Sequence, residues 1–260
     1  MIDVVPADLL PPLHAEYRKA ITLRYARSMA ALVPVVALLA VSTTALLAGP
    51  RDPRGEPATG AATVGLYLAL AAVILAAGAF AAAGAGGEHR YDTLAVTALF
   101  TPDRDRLAGA KMLVTAGVAL AAALVAEVVA LACLLVFGRD KFEFGAGLFG
   151  VLGGGLLAAV CWAVIGTGLG LWLRSPLTAV GVVLGWLLFA EPLIWAVTSG
   201  IGLPGLSTLL PVSSTVSTVA VGSFTDSDIL APTPAAMVVL LLWAIGIGGL
   251  GWWSVRTDEL

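Results

Sequence analysis

Long apolar runs separated by short polar segments dominate the pattern of this chain. Six of these runs are long enough for membrane-spanning helices, which need about 20 consecutive, mainly apolar residues. The runs occupy residues 30–49, 61–87, 112–137, 145–173, 177–198 and 234–255. The sequence therefore predicts an all-α polytopic membrane protein, with six transmembrane helices in one transmembrane domain, residues 1–260.

Residues 1–29 predict a loose tail followed by an N-terminal amphipathic helix. From residue 13 to residue 29, apolar or aromatic side chains recur every four residues, and charged side chains lie between them. The repeating positions are Leu13, Tyr17, Ile21, Tyr25 and Met29. This pattern is typical of a helix that lies at the membrane interface. A plain extension of the first span fits the same spacing.

Residues 88–111 form the one sizeable polar and basic segment between two apolar runs. A short helix is predicted over residues 93–100, because Asp92 can cap its start and Pro102 disfavours its continuation. One face of this helix carries an apolar stripe: Val96, Leu99 and Phe100. Such a helix can dock on a soluble protein, or it can lie on the lipid headgroups.

Residues 199–231 are longer than a plain loop and are broken by Pro204 and Pro211. The resulting pieces are too short to cross a membrane, so they predict short re-entrant or interfacial helices before the last span.

The composition supports the membrane assignment, and the basic residues give the topology. Hydrophobic residues make up 59% of the chain and charged residues 12%, about half the charged fraction of soluble domains. Ten of the 14 basic residues lie on one side of the spans: Arg18, Lys19, Arg24, Arg27, Arg90, Arg104, Arg106, Lys111, Arg174 and Arg256. The positive-inside rule places both termini and residues 88–111 in the cytoplasm. The basic residues mark topology, so nucleic acid is not an expected partner.

The motifs of common enzymes and metal sites are missing from the sequence. No G-x-x-x-x-G-K-[ST] loop, G-x-S-x-G elbow or H-E-x-x-H motif occurs. Cys133 and Cys161 lie inside predicted spans and His14 and His89 lie outside them, so no disulfide and no metal site are expected. We therefore expect that this chain is not an enzyme.

Two acidic residues, Glu127 and Glu191, lie at lipid depth in their predicted spans. Both are about 21 Å from the cytoplasmic face, so they could meet at one level of the bundle. No Lys or Arg lies at that depth, and an unpaired carboxylate in hydrocarbon is costly. The pair predicts either a site that attracts a cation or exchanges a proton, or two protonated side chains bonded to backbone groups.

Tryptophan residues within the spans are candidates for a substrate path, and glycine residues are candidates for close helix contacts. Three tryptophans lie in mid-span and either line a path for an apolar substrate or pack against small residues: Trp162, Trp186 and Trp243. Glycine pairs four residues apart allow close helix packing, at Gly150/Gly154, Gly166/Gly170 and Gly181/Gly185.

Four stretches, in this order, carry a resemblance to a known family. They read HAEYRKAITLRYAR, GGEHRYDTLAVTALFTPDRDRLAGAK, LGLWLRSPLTAVGVVLGWLLFAEPL and LPGLSTLLPVSSTVSTVAVG. Over nearly the whole chain, this order of features resembles the ABC-2 type permease, the membrane subunit of a bacterial ABC exporter.

The resemblance implies a location, partners and site residues. It implies a multi-pass protein of the bacterial cell membrane, surrounded by lipid and paired with a second permease copy or homologue. It implies that residues 93–100 are a cytoplasmic coupling helix that docks on a separate ABC ATPase subunit, and that the pieces before the last span are extracellular. ATP and Mg²⁺ would bind to that partner. This chain itself would bind no cofactor. The coupling residues would be Glu88, Arg90, Val96, Leu99, Phe100, Arg104 and Arg106.

The sequence is compatible with two transport functions of different kinds. A third possibility is a membrane scaffold protein that transports nothing. The leading hypothesis is a permease subunit that exports a drug, lipid or peptide. The alternative is a proton-coupled secondary transporter that uses Glu127 and Glu191. Secondary transporters often carry broken helices at corresponding positions of two repeats, whereas only the predicted fifth span is broken, at Pro192. This asymmetry favours the exporter.

Overall fold

The computed structural model describes residues 10–49, 59–91, 93, 103–223 and 227–257. Within these ranges the regular elements are helices, with no strand. They are α1 (Leu10–Thr22), α2 (Arg24–Leu47), α3 (Val64–Arg90), α4 (Arg104–Phe137), α5 (Ala146–Leu173), α6 (Pro176–Gly200), α7 (Pro211–Val219) and α8 (Thr233–Thr257). Short 3-10 segments, Ala61–Thr63 and Pro204–Leu209, precede α3 and α7.

Six helices in the described part of the chain are long and apolar enough to cross a membrane. They are α2 from Ala26, α3 with its 3-10 turn, α4, α5, α6 and α8. The predicted all-α architecture with six such helices is confirmed, and it indicates a multi-pass membrane protein.

The polar segment between α3 and α4 is shorter than the sequence pattern suggested. Helix α3 continues to Arg90, and α4 begins at Arg104 instead of near residue 112. The early start has a local cause, because the Asp103 side chain accepts hydrogen bonds from the N–H groups of Asp105 and Arg106. Residues 88–111 are therefore helical at both ends, and Lys111 lies inside α4. Apart from Thr93, residues 92–102 lie outside the described residues, and with them most of the short helix predicted over 93–100.

The predicted amphipathic segment is split into two helices at Leu23. This residue has an extended backbone, and α2 starts directly after it and runs on into the first span. The side of α1 that packs on the protein holds Pro12, Glu16 and Ala20. Tyr17 and Ile21, two members of the predicted apolar stripe, are exposed.

Helix α5 lies at the centre of the bundle and packs against α3, α4, α7 and α8. Glycines permit the closest approaches. A Cβ atom at Gly166 would collide with the carbonyl oxygen of Gly78 on α3, and one at Gly168 with that of Ile247 on α8. These contacts bring helix backbones together, as small-residue spacings do in membrane proteins.

Helix α6 contains a π-helical turn, Trp186–Ala190, directly before Glu191 and Pro192. Proline lacks an N–H group, and its ring clashes with the carbonyl four residues earlier. A wider turn relieves this clash and keeps the helix continuous. The turn also sets the direction in which Glu191 leaves the helix.

Candidate functional site

Four charged side chains, three of them buried, form a cluster that joins three helices. Glu16 and Lys19 come from α1, Glu88 from α3 and Lys111 from α4. The Lys111 Nζ atom is 2.8 Å from Glu16 Oε2 and 2.7 Å from Glu88 Oε1. The Lys19 Nζ atom is 2.6 Å from Glu16 Oε1 and 2.8 Å from Glu88 Oε1. We call this closed ring of two ammonium groups and two carboxylates the charge cluster.

The charge cluster is held in place by mutual pairing. The side chains of Lys111, Glu16 and Glu88 are 5%, 7% and 9% exposed, so each has lost most of its hydration. Removing one partner from a buried ion pair leaves an uncompensated charge, which costs about 3–5 kcal/mol. The cluster therefore fixes α1 against the ends of α3 and α4, the two helices that flank residues 91–103.

Local sequence explains part of this arrangement. Glu16 and Lys19 are three residues apart and share one face of α1. The family resemblance implied that Glu88 is a residue of the coupling contact with an ATPase. In the structure Glu88 is buried and bonded within its own chain. Its partners Glu16, Lys19 and Lys111 were not among the predicted site residues.

The other predicted coupling residues are spread around this end of the bundle. Arg90 is exposed, and its guanidinium carbon lies 6.0 Å from the ring centre of Tyr91. Arg104 donates a hydrogen bond to the carbonyl oxygen of Val255 on α8, at 3.4 Å. Arg106 forms an ion pair of 2.8 Å with Asp103. Val96, Leu99 and Phe100 lie outside the described residues.

A cavity of about 500 Å³ adjoins the charge cluster. Residues of α1, α3 and α4 line it, among them Glu16, Lys19, Phe80, Glu88 and Val114. Its polar end is formed by the cluster, and its remaining wall is mainly apolar.

Glu191 lies at the other end of the bundle and is fully buried. Its Oε2 atom accepts hydrogen bonds from the Trp186 indole and from the Val212 N–H, both at 2.9 Å. Its Oε1 atom accepts bonds from the Ser213 N–H at 2.6 Å and the Ser213 hydroxyl at 2.9 Å. Helix α7 has no side-chain cap of its own, so Glu191 on α6 supplies the acceptor that its first N–H groups need.

The three predicted pathway tryptophans hold α7 and the segment before it. The Trp162 indole donates to the Thr215 hydroxyl on α7 at 2.9 Å, and Trp243 donates to the Leu209 carbonyl at 2.9 Å. Trp186 donates to Glu191, and its ring centre is 6.4 Å from that of Trp243. These contacts are anchoring contacts.

Helix α7 carries buried hydroxyl groups that the sequence analysis missed. They belong to Ser213, Ser214, Thr215, Ser217 and Thr218.

Glu127 lies apart from both groups, in the middle of α4. It is 5% exposed and adjoins Leu70 on α3 and Gly155 on α5. A Cβ atom at Gly155 would lie 3.1 Å from Glu127 Oε1, so the glycine provides room for the carboxyl group. No hydrogen bond in the described part of the chain joins Glu127 to Glu191.

The described residues contain no group of three or more His, Cys, Asp or Glu side chains that could hold a metal ion. The buried Cys133 and Cys161 are free thiols. The chain matches no family model and no curated protein, so its function must be argued from the geometry of these groups.

Proposed function

We propose that this chain is the permease subunit of an ATP-driven exporter of the ABC-2 type. It forms the substrate pathway as a dimer and is driven by a separate ATPase subunit that binds ATP and Mg²⁺. Both termini and residues 91–103 are cytoplasmic in this proposal, and the membrane is the bacterial cell membrane. The observation that carries the proposal is the charge cluster.

The position of the cluster is what a driven membrane subunit needs. A segment that receives force from an ATPase must be connected rigidly to the membrane helices, because a loose joint would dissipate the motion. Glu88 and Lys111 lie near the two ends of the segment, and their contact of 2.7 Å ties α3 to α4 there. Glu16 and Lys19 add α1 to the same unit. A push on residues 91–103 would therefore move three helices together.

Helix α1 has the features of an interfacial helix in this proposal. Its inner side is bound through the charge cluster, and Tyr17 and Ile21 on its outer side are exposed. Aromatic and aliphatic side chains of this kind bury themselves at the boundary of headgroups and acyl chains. At the opposite end, the 3-10 segment Pro204–Leu209 and α7 would be the short extracellular helices.

The dimer is supported by the surface of α6, most of which is not covered by the other helices that the structure describes. Within the described part of the chain, only 11% of the most apolar stretch of α6 is buried. Gly181 and Gly185 have no atom within 4 Å of the position that a Cβ would take. An uncovered pair of glycines at this spacing suits the close approach of a second helix. We propose that a second copy or a homologue packs there.

The alternative, a proton-coupled secondary transporter, retains one supporting observation. Glu127 has no hydrogen-bond partner among the described residues, so its carboxyl group is not already engaged and could bind and release a proton. Glu191 already accepts four hydrogen bonds, so it is engaged in holding α7. The alternative therefore has one candidate acid instead of two.

The decisive experiment changes the apolar stripe of the proposed coupling helix. Replacing Leu99 and Phe100 together by Ala removes apolar surface worth about 25 cal/mol per Å² when buried in a partner. We expect the double variant to lose the ATPase during co-purification from cells and to lose substrate-stimulated ATP hydrolysis. Thermal unfolding of the purified permease should be unchanged, because the spans do not depend on these contacts.

The matched control is the double variant Phe144→Ala and Leu206→Ala. It removes the same two residue types from exposed positions at the other end of the bundle. The control should retain the ATPase. Equal recovery of an ATPase with both double variants, or no ATPase recovered with the wild-type chain, would contradict the proposed function.

A further inference from the structure

One buried carboxyl group in the spans has no hydrogen-bond or ion-pair partner among the residues that the structure describes. The described residues include four buried glutamates: Glu16, Glu88, Glu127 and Glu191. Glu16 and Glu88 each contact two lysines, and Glu191 accepts four hydrogen bonds. Glu127 alone among the four makes no hydrogen bond or ion pair, and its Oε1 atom is completely buried.

The spans packed against α4 offer Glu127 no positive charge away from their polar ends. Between their polar ends, α2, α3, α5 and α8 contain no Lys, Arg, His, Asp or Glu. Away from those polar ends, the other titratable groups on these helices and on α4 are a phenol and two thiols, those of Tyr67, Cys133 and Cys161. The Tyr67 hydroxyl is 3.4 Å from the Thr59 hydroxyl. On either side of Glu127, the nearest basic residues are Lys111, about four helical turns before it, and Arg139, about three turns after it.

The space around the carboxyl group limits what can neutralise it. A Cβ atom at Gly155 would already overlap the Leu70 side chain, so no room for a bulky ligand exists on that side. A metal ion would need several oxygen ligands, and no acidic cluster adjoins Glu127 in the described residues. An unpaired carboxylate in an apolar span is costly, and it needs a positive ligand. The smallest such ligand, a proton, fits.

We propose that Glu127 is a proton-binding site at the junction of α3, α4 and α5. With the proton bound, the carboxyl group is neutral and the three helices pack closely through Leu70 and Gly155. Loss of the proton leaves a charge in this junction, so release requires α3 or α5 to move apart and admit water. Proton binding is therefore linked to the packing of the three helices. The site does not depend on an ATPase, and it stands whether or not the exporter assignment holds.

Infrared spectroscopy of the full chain in lipid vesicles tests this site directly. A protonated carboxyl group has a carbonyl stretch separate from the amide bands and from ionised carboxylates. We expect one such band per chain in the wild type, shifted to lower frequency in D₂O, and its loss in Glu127→Gln. The matched control Glu143→Gln, which changes an acid outside the spans, should leave the band unchanged.

A second variant keeps the test decisive if Glu127→Gln does not fold. Glu127→Asp retains a carboxyl group in a slightly different environment, so the band should remain but change frequency. A wild-type spectrum without the band, or a band that neither variant alters, would overturn the proposal.

The linkage to packing has its own measurement. As the pH is raised until the band disappears, amide hydrogen exchange near Leu70 and Gly155 should increase in the wild type. In Glu127→Gln, where no proton can be released, exchange at these positions should not respond to pH beyond the intrinsic chemical rate. Loss of the band without this increase would rule out the conformational link.

Discussion

The two ends of this molecule use buried carboxylates in different ways. At the charge cluster, Glu16 and Glu88 meet two lysines and join α1, α3 and α4. At the opposite end, Glu191 meets N–H groups and a hydroxyl, and it joins α6 to α7. In the cluster each charge depends on the others. Around Glu191 the donors are backbone and side-chain dipoles that do not change their charge. The first arrangement suits a rigid connection, and the second suits the placement of one short helix.

The largest effect is expected from removing one charge of the cluster. Lys111→Met leaves Glu16 and Glu88 with Lys19 as their shared cation, so the free energy of unfolding should fall by about 3–5 kcal/mol. Thermal unfolding in detergent measures this change.

The control for Lys111→Met is the double variant Lys111→Met with Glu88→Leu. It removes one charge of each sign and leaves the Glu16–Lys19 pair, which is 2.6 Å long, in place. Replacement of a whole buried ion pair by apolar residues is often neutral. The double variant should therefore be more stable than Lys111→Met. If the double variant is the less stable of the two, an uncompensated buried charge is not the main cause of the stability that Lys111→Met loses.

A smaller effect is expected at Glu191. In Glu191→Gln the side-chain amide nitrogen is a donor, so it cannot accept from the N–H groups that face the carboxylate. At least one of these donors loses its acceptor, at a cost of about 1–3 kcal/mol. Hydrogen exchange of the first turn of α7 and thermal unfolding measure the loss.

Glu127→Gln is the matched control for Glu191→Gln. No donor faces Glu127 in the described part of the chain, and glutamine has nearly the shape of the protonated acid. The change at position 127 should therefore leave the exchange of α7 unaffected. Equal loss of protection in α7 with both variants would remove the distinction between the two acids.

The smallest effect concerns the second support of α7. Trp162→Phe deletes the indole donor to Thr215, so the hydrogen-bond part of its cost should be about 1 kcal/mol, and the smaller ring adds the cost of a cavity at this buried site. Trp172→Phe makes the same change at a half-exposed site on the same helix and should cost less. A larger loss at position 172 would show that the hydrogen bond between α5 and α7 contributes little.

The number and kind of helices follow from sequence, because apolar runs of this length have few alternative structures. The boundaries were less accurate where charges are compensated by distant partners. The sequence pattern assigns Lys111 to the polar segment 88–111, whereas in the structure it lies inside α4 and pairs with Glu16, which is 95 residues away in sequence. Such a pair cannot be recognised from local pattern.

The sequence predicted the surroundings of one glycine pair better than the surroundings of the two acids. Gly166 and Gly170 on α5 both meet the backbone of α3, as their four-residue spacing suggested. The sequence predicted Glu127 and Glu191 as acids at similar depth in apolar runs, with Pro192 beside Glu191 as the one local difference. The donors that distinguish Glu191 come from α7, whose position depends on the tertiary fold. The sequence therefore located both residues and could not separate their environments.

The π-helical turn of α6 has a consequence for insertions and deletions in the chain. A π turn contains one residue more than an α-helical path along the same axis. Deleting one residue of Trp186–Ala190 would remove this extra residue and allow a regular α-helix in which Glu191 keeps its direction. Returning the turn to regular α-helix without a deletion would instead rotate everything after it by about 100°. Glu191 would then turn away from the start of α7, although every side chain of the site would still be present. The function of this acid is thus encoded in the shape of the turn as much as in its chemical identity.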